Sequence, residues 1–341
     1  MDLSIIVPVY QVEKYIRTCV ESIFRQGLDD ARFEVIIIND GTKDKSMEMI
    51  ADIISRHDNI TVIHQENQGL SVARNTGIAA AKGEYILMPD SDDLLIENSL
   101  SPLLEKGLES KADIVVANFL VMSNEEIEQF EGVDQNNTEY KEKDGEQLFL
   151  EDLNPYRCYV WCSLYRREFL LNNHLSFVPG IYIQDVPFTH ECYLKAKKCI
   201  RTTRLLNIYR KGHDSATFSF NKKKAKDFCT AIAKTWELTH LPGLQDKIQE
   251  KLRADIYESF LMMIWITTHK LKKTSDRTEM VDFMRQQAPD LHFRNGIKQK
   301  VISFMFRHLP HTFIRLCRLH DIIENHIRPF YSQRLRRSYS R

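Results

Sequence analysis

The 341-residue sequence lacks the features that would place it across a membrane or outside the cell. No stretch reaches the roughly 18 apolar residues that a membrane-spanning helix needs, and the nearest, FLMMIWIT at 260–267, is too short. The N-terminal segment MDLSIIVPVY has neither a basic region nor a long apolar region, so we do not interpret it as a secretory signal. We therefore expect a cytoplasmic protein.

The sequence also lacks an excess of charge and a cysteine framework. Its 47 basic and 47 acidic residues balance, which argues against a nucleic-acid-binding protein. Its seven cysteines are scattered, and Cys158 and Cys162 have no second pair to complete a zinc site. We expect reduced structural thiols. The glycine-rich sequences GxGxxG and GxxxxGK[ST] are both absent, so a dinucleotide fold or a P-loop has little support.

What the sequence does contain is a regular alternation of apolar runs and amphipathic segments over its first 117 residues. We predict strands at 3–9, 33–40, 60–65, 84–90 and 112–118, separated by helices. Near-continuous apolar strands of this kind predict an α/β fold with a mainly parallel sheet and helices on both faces. Residues 121–145 are polar and predict a surface insertion or hairpin, and the chain beyond about 221 is helical in pattern.

Turn-forming or polar residues stand at the ends of three of the predicted strands. They are Pro8-Val9-Tyr10, then Asn39-Asp40-Gly41-Thr42, and finally Asp90-Ser91-Asp92-Asp93. The carboxyl ends of parallel strands meet at one edge, where ligands bind in open α/β sheets. Carboxylate oxygens at such an edge suit Mg²⁺ or Mn²⁺. The competing interpretation is that these are ordinary Asx turns and helix caps, and that Arg74 is a surface arginine.

Four ordered segments carry a resemblance to a known family. They are IIVPVYQVEKYIRTCVESIFRQ, EVIIINDGTKD, NQGLSVARNTGI and GEYILMPDSDD, within residues 3–100, and VWCSLYRREFLLNNHLSFVPGIYIQDVPFTHECYL follows them. Together they resemble a family 2 glycosyltransferase of the bacterial polysaccharide or lipid-linked glycan type. The resemblance implies a Rossmann-like GT-A domain at 1–220, with a nucleotide-sugar half at 1–117 and an acceptor half at 118–220. A helical region with a basic tail would follow at 221–341.

The resemblance also implies an activity and a set of donor-binding residues. The activity is inverting, metal-dependent transfer of a hexosyl or N-acetylhexosaminyl group from a nucleotide sugar, expected to be UDP-linked, to a glycan or lipid-linked glycan hydroxyl. The positions that match the donor site are Pro8, Val9, Tyr10, Asp40, Arg74, Asp92, His213 and Ser215. Asp93 and Asp92 match the metal ligands for Mn²⁺ or Mg²⁺, with Asp93 the more direct ligand, and Asp90 would orient them.

Asp185 matches the catalytic base of the family. Its other interpretation is the N-cap of the helix predicted from Val186. Gln184 stands where the family usually has Glu, which removes a charge beside the base, and Thr42 replaces the usual Ser. We expect the first departure to alter acceptor handling more than activity. His213 and Ser215, together with Thr217, would belong to a loop that closes over the diphosphate.

The C-terminal 51 residues are basic, with 11 Lys or Arg and two acids. The segment IKQKVISFMFRHLPHTFIRLCRLHDII is also amphipathic, which favours contact with an anionic membrane surface and a peripheral position on the inner face of the cell membrane. The alternative is a solvated face of packed helices. Alternative functions are an inactive nucleotide-sugar-binding or scaffold subunit, a nucleotidyltransferase, and a membrane adaptor. Retention of Asp185 argues against the first, and the missing phosphate loop argues against the second.

Overall fold

The structure of the protein is a computed structural model that describes residues 1–153, 158–212 and 221–319. These residues form two compact units. The first contains 1–153, 158–180 and 188–212, and the second contains 181–187 and 221–319. None of the helices in this part of the chain is both long enough and apolar enough to cross a membrane.

The strands belong to one sheet, which lies within the first unit. They are β1 (Leu3–Val9), β2 (Phe33–Asn39), β3 (Ile60–His64), β4 (Tyr85–Leu87), β5 (Leu94–Leu95), β6 (Ile114–Met122), β7 (Tyr140–Lys143), β8 (Ser163–Arg166) and β9 (Cys199–Arg210). The α-helices are α1 (Ile16–Ile23), α2 (Ala51–Arg56), α3 (Leu70–Ala80), α4 (Leu100–Ser110), α5 (Asn124–Glu128), α6 (Gly145–Glu151), α7 (Arg167–Asn172), α8 (Asp185–Lys195), α9 (Lys222–Glu237), α10 (Asp246–His269), α11 (Thr274–Gln287), α12 (Gly296–His308) and α13 (Pro310–Leu319).

The strand order is β3-β2-β1-β4-β8-β6-β9-β5, and β7 pairs with β9 at the side. The neighbours among β1 to β4 are parallel, as are β6 and β9. Strand β8 is inserted antiparallel between β4 and β6, and β5 and β7 run antiparallel to β9. The predicted parallel pairing of the first four strands is confirmed, and the sheet as a whole is mixed, with four parallel and four antiparallel pairings among the described strands. The sequence pattern does not reveal the three antiparallel strands, because they are short and pair with partners far away in the sequence.

The sheet is covered because its apolar strands present side chains to both faces. On one face Ile5 and Val7 join a buried cluster with side chains of α1 and α4. On the other face α3 lies so close to β1 that a Cβ added to Gly77 would stand 2.2 Å from the Ile6 side chain. Close packing of a helix on a parallel sheet therefore requires glycine at this position.

The segment 121–145, predicted as an insertion or hairpin, contributes the end of β6, the short helix α5 and the edge strand β7. In the second unit, helices α9 to α13 surround their own aromatic core. Phe260 packs with ring centroids 5.2 Å from Phe293 and 4.9 Å from Phe306. The helical pattern predicted beyond residue 221 is thus present in its described part.

Candidate active site

The carboxyl ends of β1, β2 and β4 meet at one edge of the sheet. Val9 pairs with Asn39 at the ends of β1 and β2, whereas the pairing of β1 with β4 ends at Ile5 and Leu87. Pro8 therefore lies beyond the β4 ladder, where its missing N–H costs no hydrogen bond to that strand. Pro8 and Val9 are buried, and Tyr10 emerges from the edge into solvent.

The loops that follow β1 and β2 are tied together by polar contacts. The Gln11 backbone N–H, at a positive φ of 54°, donates to the Thr42 hydroxyl at 2.8 Å. The same hydroxyl donates to Asp44 Oδ1 at 2.7 Å, and Asp44 Oδ2 accepts from the Glu13 backbone N–H at 3.0 Å. The threonine found where serine is usual thus keeps the hydroxyl function, and its hydrogen bonds connect the two loops.

Asp40, directly after β2, is 3% exposed and receives its hydrogen bonds from the chain itself. Its Oδ1 accepts from Gln65 Nε2 at 2.7 Å and from the Gln68 backbone N–H at 2.9 Å. Its Oδ2 accepts from the Gly69 backbone N–H at 2.9 Å. Gly69, at a positive φ of 86°, is the N-cap of α3, so the Asp40 carboxylate positions the start of that helix.

Arg74, on α3, is buried and points toward the end of β4. One Nη donates to Asp90 Oδ1 at 2.6 Å, and the guanidinium lies 5.3 Å from the centre of the Phe177 ring. Its Nε is buried with no hydrogen-bond partner within the described part of the chain. The surface interpretation of Arg74 is therefore wrong: this arginine holds Asp90 in place.

The three carboxylates after β4 form a cluster in which candidate ligand oxygens of Asp90, Asp92 and Asp93 lie within 4.8 Å of one another. Asp93 is the most buried, at 1% exposed. Its Oδ1 accepts from the Arg210 backbone N–H at 2.8 Å, whereas its Oδ2 has no hydrogen-bond partner among the described residues. Burial, followed by the negative charges of Asp92 and Asp90, raises the pKa of Asp93 well above its ordinary value.

Arg210, at the end of β9, is a site residue that the sequence reasoning missed. Besides its backbone bond to Asp93, its Nε donates to the Asp92 carbonyl at 2.9 Å and an Nη donates to the Asn124 side chain. Its guanidinium also lies 4.8 Å from the centre of the Tyr15 ring. The available signal was an arginine that directly follows the largely apolar run LLNIY at 205–209.

The pairing of β5 with β9 explains why Arg210 reaches the cluster. Leu94 pairs with Ile208 and Leu95 with Asn207, so the two residues that follow the carboxylates lie alongside the end of β9. The carboxylate cluster and Arg210 are thereby assembled from segments that are 117 positions apart.

A hard divalent cation fits this cluster. The available ligands are carboxylate oxygens, which Mg²⁺ and Mn²⁺ prefer, and the buried Oδ2 of Asp93 has no hydrogen-bond donor in the part of the chain that the structure describes. A buried carboxylate oxygen that nothing satisfies is costly, and a bound cation would remove that cost. The residues present therefore match the expected metal.

The structure describes one of the remaining predicted residues. Asp185 is the first residue of α8, and its Oδ1 accepts from the Val186 backbone N–H at 3.1 Å, in the stretch 181–187 that belongs to the second unit. The neighbouring Gln184 is buried, and its Oε1 has no hydrogen-bond partner in the described ranges. His213, Ser215 and Thr217 lie outside the described residues, so their assignment stays a prediction.

Comparison with known proteins places this geometry in context. A family model described as Glycosyl transferase family 2 matches residues 4–172. The chain is 34% identical over 256 residues to EpsJ, an uncharacterized glycosyltransferase of Bacillus subtilis strain 168, covering 74% of this chain and 68% of EpsJ. It is 29% identical over 320 residues to the glycosyltransferase GlyG of Streptococcus pneumoniae serotype 4, covering 86% of this chain and 98% of GlyG.

Solved structures show the same fold. Residues 1–349 of TarS from S. aureus match with a TM-score of 0.71 at 19% identity, covering 93% of this chain and 90% of that one. The same TarS fragment has been solved in complex with UDP-GlcNAc, and that structure matches with a TM-score of 0.66 at 17% identity. The predicted GT-A fold with a helical C-terminal region is confirmed.

Proposed function

The chain belongs to glycosyl transferase family 2, and from this premise we propose an inverting, metal-dependent reaction with a UDP-linked sugar as donor. The acceptor is a hydroxyl group of a polysaccharide or of a lipid-linked oligosaccharide. The complex of TarS with UDP-GlcNAc supports the choice of a uridine nucleotide. We further propose that the reaction takes place in the cytoplasm, where nucleotide sugars are available.

The observation that carries the metal-dependent part of this proposal is the environment of Asp93. A buried carboxylate with one bare oxygen, beside two further carboxylates, is unfavourable until a cation arrives. Mn²⁺ or Mg²⁺ would be held by Asp93 and Asp92, and when bound it supplies positive charge that offsets the charge of the leaving diphosphate. Arg210 holds the Asp93 carboxylate through its own backbone N–H and the Asp92 backbone carbonyl through its side chain.

The donor would lie along the edge formed by β1, β2 and β4. In this proposal Pro8, Val9 and Tyr10 border the nucleotide base, and Asp40 accepts a hydrogen bond from it. Asp40 already receives three hydrogen bonds, and an ionised carboxylate has about four acceptor positions, so room for one more donor is left. Asp92 lies nearer the ribose, and Arg74 acts near the phosphates through Asp90.

Asp185 is proposed as the general base. Its carboxylate takes the proton of the acceptor hydroxyl as that oxygen attacks the anomeric carbon of the donor sugar. The bond from that carbon to the diphosphate breaks on the opposite face, so the configuration inverts. In this proposal no covalent intermediate with the protein is needed, because one base and one metal ion suffice.

A donor panel tests the reaction. The full chain is incubated with UDP-glucose, UDP-galactose, UDP-GlcNAc and GDP-mannose, and nucleotide release is measured with Mn²⁺, with Mg²⁺ and with EDTA. We expect release from a UDP-sugar that requires a divalent cation. Undiminished release in EDTA would contradict the metal assignment, and release from GDP-mannose alone would contradict the choice of donor. Binding of a UDP-sugar without turnover, with a polysaccharide acceptor present, would favour a scaffold subunit.

The base assignment needs a variant that separates turnover from binding. Asp185→Ala should reduce kcat by about 10³-fold or more, because a positioned base contributes roughly 10²–10⁴-fold. The same variant should bind UDP with unchanged affinity in calorimetry, since the base does not contact the nucleotide. The exposed Asp58→Asn variant is the control and should resemble the unmodified protein in both measurements. Turnover at the unmodified rate by Asp185→Ala would overturn the assignment.

A further inference from the structure

Helix α12, in the second unit, has two faces of opposite character. Phe306 and Ser303 are buried against the rest of that unit. On the other side Ile297 is 83% exposed, Val301 is 50% exposed and Phe304 is 59% exposed. Their spacing of four and three residues puts these apolar side chains on one stripe of the helix. We call Ile297, Val301 and Phe304 the apolar stripe.

The segment that contains the apolar stripe carries charge of a single sign. Residues 291–319 contain six Lys or Arg and no Asp or Glu. Lys298, Lys300 and Arg307 are exposed on α12 itself, and within the described residues none of them forms an ion pair. At about 100° per residue, Lys300 and Arg307 lie on one flank of the stripe and Lys298 on the other.

This arrangement would be unusual for a face that simply meets water. Isolated exposed apolar residues are common, but three that are contiguous along a helix and bordered by cations mark a binding surface. The solvated-face interpretation accounts for the lysines and leaves the exposed Ile, Val and Phe without an explanation. The absence of any acid in residues 291–319 further favours a partner surface that carries negative charge.

We propose that α12 docks on an anionic membrane surface, with the apolar stripe at the boundary between headgroups and acyl chains. Lys298, Lys300 and Arg307 would then extend to the lipid phosphates on both flanks, as long cationic side chains do at interfaces. This orientation satisfies both observations at once, because the same side of the helix meets apolar chains in its middle and negative charge along its borders. The docking does not depend on the transferase reaction.

Vesicle co-sedimentation with the full chain tests the docking. Phosphatidylcholine vesicles with and without phosphatidylglycerol serve as the probe, each at low and at high salt. We expect binding to the anionic vesicles at low salt and weaker binding at high salt, because exposed charges are screened. Equal binding to neutral and anionic vesicles would contradict the electrostatic part of the proposal, and no binding to either would overturn it.

Two variants separate the two contributions. The triple variant Ile297→Ser, Val301→Ser, Phe304→Ser should weaken binding about tenfold or more, since it removes the inserted apolar area. The double variant Lys298→Gln, Lys300→Gln should weaken it by about fivefold per charge at low salt and much less at high salt. Lys272→Gln, Lys273→Gln is the charge-matched control on exposed lysines of the same unit. Exposed Leu171→Ser is the matched apolar control.

All these substitutions are at exposed positions, and circular dichroism with thermal unfolding confirms that each variant is folded. Binding by the triple variant equal to that of the unmodified chain would overturn the assignment to α12. Light scattering provides the second check. A dimer that dissociates in the triple variant would show that the apolar stripe joins two copies of the chain, which also contradicts the proposal.

Discussion

Two buried aspartates follow β2 and β4, which lie on either side of β1, and their surroundings are opposite. Asp40 is 3% exposed, and both of its oxygens accept hydrogen bonds from the Gln65 side chain and from two backbone N–H groups. Asp93 is 1% exposed, and one of its oxygens accepts only the Arg210 backbone N–H while the other is bare among the described residues.

The difference shows that a buried carboxylate can be stabilised either by the chain itself or by a bound ligand. At Asp40 the charge is balanced by dipoles of the chain, so the residue organises the loop before α3 even when no ligand is bound. At Asp93 the protein supplies little compensation and adds the repulsion of Asp92 and Asp90, which makes the site dependent on an external cation. A ligand is implied by the second environment and is not required by the first.

The sharpest test of this contrast is Asp93→Asn. The amide keeps an acceptor for the Arg210 N–H and removes the charge, so we expect kcat to fall by about 10³-fold, equivalent to several kcal/mol of lost charge stabilisation. Without metal, the unfolding midpoint should stay equal or rise, because an uncompensated buried charge is gone. A large drop in the unfolding midpoint in EDTA would show that Asp93 is structural after all, and that the contrast with Asp40 is wrong.

Substitution of Arg210 tests whether its side chain positions the carboxylates of Asp92 and Asp93. Arg210→Ala should raise the Mn²⁺ concentration for half-maximal activity by about 10–100-fold, since groups that orient metal ligands typically contribute this much. Arg210→Lys should recover part of the loss, because the positive charge returns without the contact to Asp92. Lys211→Ala, which removes the adjacent exposed cation, is the control. An unchanged metal requirement in folded Arg210→Ala would limit this side chain to holding Asn124 and Tyr15.

Asp40→Asn should show the reverse pattern to Asp93→Asn. Replacing the carboxylate weakens its charge-assisted hydrogen bonds and places an amide N–H against a donor of the chain, so we expect about 2 kcal/mol lower stability. Urea unfolding with and without Mn²⁺ measures it, and the loss should be the same in both conditions. A variant as stable as Asp58→Asn would indicate that the Asp40 hydrogen bonds contribute little to folding.

The smallest expected effect lies on the Asp40 side of the site, at Thr42. Thr42→Val removes a hydroxyl that accepts from Gln11 and donates to Asp44, which should cost about 1 kcal/mol. Thr42→Ser keeps the hydroxyl and should stay within about 0.5 kcal/mol of the unmodified protein. Thermal unfolding compares the two. A loss of stability in Thr42→Ser together with none in Thr42→Val would mean that the methyl group, and not the hydroxyl, stabilises the loops.

The carboxyl edge could be predicted well because it depends on local pattern. Apolar runs that end near Pro8, Asp40 and Asp90 predict both the strands and the positions where they end. Parallel pairing then brings these ends together. Arg210 could not be predicted in the same way. Its partner Asp93 is 117 residues away, and the two-residue strand β5 that links them has no recognisable pattern of its own.

By itself the sequence determined the α/β architecture, the direction of the first four strands and the residue types at their ends, because side-chain periodicity encodes which faces are buried. The sequence could not show which of the carboxylates receive hydrogen bonds from the chain and which do not. Only the tertiary structure decided that Asp40 is satisfied by the chain, that Arg74 holds Asp90 and that one oxygen of Asp93 has no donor among the described residues. The physical reason is that the energy of a buried charge depends on the donors and charges around it, and long-range contacts supply those.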